Sequence, residues 1–207
     1  MKENRYEWAV IGAGPAGIAA TGQLLDANIA PQQVAWIDPT FNAGDFGTLW
    51  KYVHSNTPVS SFLNFYHAFD AFEFNQSRDL FMIEKMDIKA TCPLILAAQP
   101  LKWISCRLQN KVKSIYGTAQ ALDHTREGWH IQLASGQTLL AKKVILALGA
   151  EALTLPFCTL TTIPLKIAAA PALLRREINE NDTIAVFGSY QSARTVQENL
   201  TLTKAKK

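Results

Sequence analysis

Val10-Ile11-Gly12-Ala13-Gly14-Pro15-Ala16-Gly17 ends an apolar run that reads as a strand and opens a small-residue stretch that reads as a helix. Such a junction can cradle the diphosphate of a dinucleotide. Gly12 allows the tight strand-to-helix turn, Gly14 leaves room for the phosphates against the backbone, and Gly17 lets the helix pack closely on the sheet. The helix start supplies unpaired N–H groups and the positive end of its dipole, and Pro15 and Ala16 suit a first turn.

A glycine triplet alone is weak evidence, so the second requirement is an acid ending a second strand roughly 20 residues further on. Asp38 meets it, closing the apolar run Val34-Ala35-Trp36-Ile37 just before a proline. A carboxylate there can accept hydrogen bonds from ribose hydroxyls and repels a 2′-phosphate, which favours FAD or NAD over NADP at this first site.

Other chemistry is thinly represented. His54, His67, His124 and His130 show no i, i+4 pairing with carboxylates or cysteines, so no metal site is expected; His54 is the one nearest the glycine-rich loop described below. No Gly-x-Ser-x-Gly elbow occurs. Cys92, Cys106 and Cys158 are odd in number and widely spaced, which fits free thiols in a reducing cytoplasm, and the absence of Cys-x-x-Cys argues against a redox dithiol.

The net charge of +3 is small, and Lys204, Lys206 and Lys207 supply much of the excess as a solvated tail, so no nucleic-acid partner is expected. Lys2 and Arg5 ahead of the apolar 8–25 stretch imitate a signal peptide, but Gly-Ala-Gly-Pro interrupts the run. No stretch reaches the roughly 18 apolar residues of a membrane span. A cytoplasmic protein without a membrane partner is the expectation.

The elements that would position these residues follow in order. A helix ends near Asn28, and after Asp38 comes the turn-rich loop Asn42 to Thr48. Phe62, Phe65, Tyr66, Phe69 and Phe72 recur at helical spacing, a stripe read first as core. Short helical pieces are predicted near Asp79–Met86 and over Pro100–Asn110, with Pro100 in a first turn. Val112–Asp123, Trp129–Leu133 and Thr138–Leu148 read as strands of a β-meander with turns at Arg126-Glu127-Gly128 and Ser135-Gly136. The end of the last strand, Val144 to Leu148, is apolar enough for burial on both faces, and Gly149 closes it.

Leu153 to Ala172, with Pro156, Pro164 and Pro171, reads as an irregular crossing. Thr183 to Phe187 then repeats strand, glycine turn and helix start at Gly188, Ser189 and Gln191, with Tyr190 in the place of the second glycine and Ala193 in that of the third. The resulting division is a dinucleotide-binding domain over 1–150, a linker over 151–182, and an incomplete second nucleotide unit over 183–207.

Gly12 to Gly17, Asp38, Phe46-Gly47-Thr48-Leu49-Trp50, Ser55-Asn56-Thr57, the meander and Val144 to Gly149 together resemble the FAD domain of two-dinucleotide-binding-domain flavoproteins. The likeness is greatest to the flavin-containing monooxygenase and N-hydroxylase branch, whose loop ends in Gly-Gly-x-Trp before a Tyr and an Asn-Thr pair. It implies an α/β fold: a Rossmann-like FAD-binding domain with a three-layer ββα sandwich and β-meander, and the start of a second Rossmann-like unit. It further implies that Gly12, Gly14 and Gly17 hold the FAD diphosphate and Asp38 its ribose. Thr48, Leu49 and Trp50 would lie along the cofactor, the Thr118-Ala119 backbone beside the adenine, Gly149 at the edge of the site, and Asn56 beside the flavin. Phe46 replaces the first glycine of the loop pair, Tyr190 alters the second motif, and the family's returning segment over the flavin is not found.

The expected function is an FAD-dependent oxidoreductase of monooxygenase type, reduced by NAD(P)H and acting on a small-molecule substrate, with a second copy or partner chain completing the site. The alternatives are a non-catalytic FAD-binding module, favoured by Tyr190, and an NAD-dependent dehydrogenase, disfavoured by the long meander between the two glycine motifs.

Overall fold

The computed structural model describes residues 4–77, 79–151 and 159–204. Pro156, Cys158, Lys206 and Lys207 lie outside the described residues. Contacts divide the chain into one unit over Met1–Gly149 and another over Ala150–Lys207.

The first unit is built on six strands, β1 (Asn4–Ile11), β2 (Val34–Asp38), β3 (Lys113–Tyr116), β4 (Ala119–Thr125), β5 (Gly128–Leu133) and β6 (Thr138–Leu146). Their order is β3-β2-β1-β6-β5-β4. β1 pairs in parallel with β2 and β6, and β2 with β3, whereas β4, β5 and β6 pair antiparallel. Alternation along the central strands explains the layers. Val10, Val34 and Trp36 face a core shared with α1 (Pro15–Asp26) and with Leu101, Ile104 and Leu108 of a long helix, Leu94–Gln109. Ala9, Ile11, Ala35 and Ile37 face Ile131, Leu133 and Leu139 of the folded-over meander. The result is the expected three-layer ββα sandwich.

Two short helices precede that long one: α2 (Gly44–Gly47) and α3 (Val59–Tyr66), which makes Leu94–Gln109 α4. The aromatic stripe is core: Tyr66 and Phe72 are buried, with Phe62, Phe65 and Phe69 packed around them. Tyr66 also donates its hydroxyl to the Ala97 carbonyl of α4 at 2.8 Å, satisfying its polar end.

Four expectations for the first unit are corrected. The stretch 112–123 is two strands, because β3 joins β2 in parallel while β4 pairs antiparallel with β5, and the chain changes layer at Gly117-Thr118. α4 starts at Leu94 after Pro93 and carries Pro100 in its interior. Ala97, Leu101, Ile104 and Leu108 form one buried stripe across that point. Their burial offsets an interior-proline cost of about 3 kcal/mol. Asp79–Met86 reduces to a 3₁₀ turn over Met82–Lys85. β6 ends at Leu146, and Leu146 and Leu148 are 56% and 67% exposed. β5 stops pairing at Ala141, leaving residues 142–146 with a neighbour on the β1 side only.

The second unit carries α5 (Leu165–Ala168), α6 (Pro171–Glu177) and α7 (Gln191–Lys204), so helices occupy much of the expected crossing. Pro164 precedes α5 and Pro171 opens α6, positions where a missing N–H costs nothing. Ala168, Leu174 and Val196 form its core. Asn199 donates to the Ala168 carbonyl at 3.0 Å. The strand expected over Thr183–Phe187 does not form. A strand needs a ladder partner, and among the described residues this unit has no other strand.

Candidate dinucleotide site

Gly12, with φ +108°, turns the chain out of β1, and a Cβ there would lie 2.2 Å from the Ala147 carbonyl oxygen. A Cβ on Gly17 would lie 1.9 Å from the Gly12 oxygen, so α1 is pressed against the turn that precedes it. Gly14 is different: only the Cα of Gly44 comes as near as 4.0 Å to its added Cβ. No side chain caps α1, whose first turn begins with Pro15. Gly14 and Pro15 are half-buried and Ala16 is exposed. An uncapped helix start over an open glycine suits a diphosphate.

Asp38 ends β2 beside this turn. Its Oδ2 accepts the Ala13 N–H at 2.8 Å, and its Oδ1 accepts the N–H groups of Thr40 at 2.8 Å and Phe41 at 2.6 Å and the Thr40 hydroxyl at 3.3 Å. The carbonyl of Asp38 accepts the Gly117 N–H at 3.2 Å, which brings Thr118 and Ala119 to the same end of the sheet. On the other side, Ala147 N–H donates to the Ile11 carbonyl at 2.8 Å, bringing Gly149 near the turn. The sequence-derived residues Gly12 to Gly17, Asp38, Thr118, Ala119 and Gly149 thus gather at the carboxyl ends of β1, β2, β3 and β6, where open α/β sheets bind ligands.

Thr48, Leu49 and Trp50 are half-buried, and Thr48 Oγ1 donates to the Gly44 carbonyl at 3.0 Å, tying that stretch to α2. Asn56 is exposed, and its carboxamide oxygen takes a bond from Thr57 Oγ1 at 3.4 Å rather than from the glycine turn. Its neighbour Ser55 is fixed instead, through Ser55 N–H to the Cys92 carbonyl at 2.8 Å and Cys92 N–H to Ser55 Oγ at 3.2 Å. His54 lies alongside, its Nδ1 3.4 Å from the Ser55 carbonyl oxygen. In the second unit Gly188 keeps a turn conformation, φ +119°, but Ser189 is exposed and Tyr190 is 87% exposed ahead of Gln191.

Three residues escaped sequence reasoning. Gly44 packs on Gly14: a Cβ on it would stand 3.0 Å from the Gly14 Cα. Trp36 donates its indole N–H to the Gly12 carbonyl at 2.9 Å. Phe41 is wedged edge-on between Trp36 and Tyr116, with ring centroids 5.0 Å and 4.8 Å away. The signal for Trp36 was present, since a tryptophan inside an apolar strand must find an acceptor.

A family model described as FAD-NAD(P)-binding matches residues 9–151. The chain belongs to that FAD-NAD(P)-binding family. Monooxygenase AgnR1 of Paecilomyces divaricatus is 28% identical over 205 residues, covering 89% of this chain and 52% of that protein. The chain therefore spans about half the length of this curated relative. Among solved structures, cyclohexanone monooxygenase in its closed form matches with TM-score 0.53 at 19% identity, over 75% of this chain and 28% of that one. The OTEMO complex with FAD and NADP matches with TM-score 0.53 at 13% identity, with the same two coverages of 75% and 28%. At such identities the likeness shows the fold alone, an architecture shared with part of each of these two proteins.

Proposed function

We propose that the chain provides the FAD-binding part of an FAD-dependent oxidoreductase of monooxygenase type, reduced by NAD(P)H and acting on a small organic substrate. The observation that carries this reading is the convergence of Gly12 to Gly17, Thr118, Ala119 and Gly149 at one end of the parallel strands, beside an uncapped helix start. FAD, when bound, supplies the acceptance of a hydride and the passing on of electrons. The chain's own residues bind and orient it. The N–H groups of the α1 start would face the diphosphate, and Gly14 would let it approach. The Thr118-Ala119 backbone would border the adenine, and the Thr48 to Trp50 stretch would lie along the cofactor. Asn56, exposed on its loop, would offer donor and acceptor at the flavin edge.

The visible absorbance of purified protein, loaded with FAD and then mixed with NADPH without oxygen, tests this. A yellow protein that bleaches supports it, and a colourless one that FAD does not stabilise against heat overturns it. Two observations favour a second reading, a non-catalytic FAD-binding module: Thr183–Phe187 forms no strand, and Tyr190 stands at the second glycine position. That reading expects yellow protein that does not bleach.

A further inference from the structure

Towards one edge of the sheet the strands run β1, β2, β3. The glycine turn follows β1, Asp38 ends β2 and Tyr116 ends β3. Neighbouring strands lie roughly 4.8 Å apart, so a diphosphate over β1 and a ribose at the β2 acid carry the base outwards onto β3. Tyr116 stands there. It is the register partner of Asp38, so both side chains leave the sheet on the same face, and the Gly117 N–H that follows donates to the Asp38 carbonyl at 3.2 Å.

A single exposed aromatic needs no explanation, but this one is both braced and open. Its hydroxyl donates to Gln109 Oε1 at 2.7 Å, and Gln109 Nε2 donates in turn to the Ser105 carbonyl of α4 at 3.3 Å. The ring meets the buried Phe41 at 4.8 Å and 63°, yet the residue remains 65% exposed. Bracing removes rotamer freedom before any ligand arrives, so little is lost when one settles. A fixed, open aromatic ring at the end of a nucleotide cradle is a stacking platform for a base.

Resting on the FAD reading above, we propose that the side chain of Tyr116 carries the adenine ring of the cofactor, while the Thr118-Ala119 backbone borders the edge of the same base. Gln109 is the positioning residue behind it. Stacking uses the π-face that every base has, so Tyr116 contributes affinity for the adenosine end and the backbone contributes the choice of base.

The full chain as wild type, Tyr116→Phe and Tyr116→Leu tests this, by titration with FAD and ADP and by the proton spectrum of bound ADP. Tyr116→Leu is expected to weaken both ligands about tenfold or more, and Tyr116→Phe to stay within about threefold of wild type. The adenine H2 and H8 signals of ADP should move upfield on binding wild type, because they enter the shielding region above a ring, and this shift should vanish in Tyr116→Leu. A merely structural role would weaken the ligands without that signature. ADP that binds wild type with no upfield shift overturns the proposal, as does unchanged affinity in Tyr116→Leu. A loss in Tyr116→Phe as large as that in Tyr116→Leu assigns the effect to the hydroxyl and overturns it too. A wild type that binds neither FAD nor ADP defeats the cofactor reading and this role with it, whereas binding without the shift defeats this role alone.

Discussion

Trp36 Nε1 donates to the carbonyl of Gly12 at 2.9 Å, so the side chain of one strand holds the turn that ends its neighbour. The same indole packs edge-on against Phe41 and is fully buried. Trp36→Phe removes the bond and leaves a void beneath the turn, at an expected cost of about 2–4 kcal/mol. Urea unfolding of the two proteins measures it, and a difference below about 1 kcal/mol would show that the turn stands without the indole.

Gly14 and Gly17 separate cofactor binding from folding. Gly17→Ala drives a Cβ to 1.9 Å from the Gly12 oxygen and should destabilise the chain by about 3 kcal/mol or more. Gly14→Ala meets only the Gly44 Cα, at 4.0 Å, and should fold with nearly unchanged stability while FAD affinity falls about tenfold or more. Thermal melts with and without FAD distinguish the two. Equal stability losses in both variants would contradict the close-packed turn.

Glu73 gives the acid limb of stability a specific source. Its carboxylate accepts Lys111 Nζ at 2.7 Å and also Arg107, and these hydrogen bonds hold its pKa below the usual glutamate value. A depressed carboxylate pKa contributes stability above the unfolded value of about 4.3, and that contribution is lost as pH falls through the folded pKa. Glu73→Gln should therefore be less stable than wild type at pH 7, and the two should converge once the pH is well below 4. Urea midpoints across that range check the sign; a gap that widens on acidification would refute it.

The two described cysteines should differ in reactivity. Cys106 is exposed, whereas Cys92 is buried and burial pushes its thiol pKa up, against a smaller lowering by Ser55. Because the thiolate is the nucleophile, iodoacetamide should modify Cys106 in native protein and Cys92 only after denaturation. Peptide mass spectrometry reads both sites, and native labelling at Cys92 would show that its burial opens readily.

Sequence reasoning located the glycine turn and the acid after it because each rests on local backbone requirements, a strand, a turn only glycine can make and an apolar strand beside it, whereas the layer order came from the likeness to a known family. It misjudged features that depend on partners distant in the chain. β6 reads as doubly buried at 144–148, but the extent of β5 decides the cover, and that extent is not written in β6 itself. Thr183–Phe187 has the residues of a strand, but among the described residues its unit has no other strand, so propensity alone does not make it one. Pro100 signals a helix start locally, while the buried stripe from Ala97 to Leu108 carries the helix through it. The Gly44 contact with Gly14 joins two loops by the absence of side chains, a relationship that residue types alone do not specify.

β6 spends its first residues, Thr138–Ala141, against β5 and its whole length from Leu139 to Leu146 against β1. One stretch of chain is thus mortared into the parallel and the antiparallel halves of the sheet at once. Neither layer of the first unit can peel off while the other persists, so heat or urea should take meander and nucleotide cradle apart in a single step.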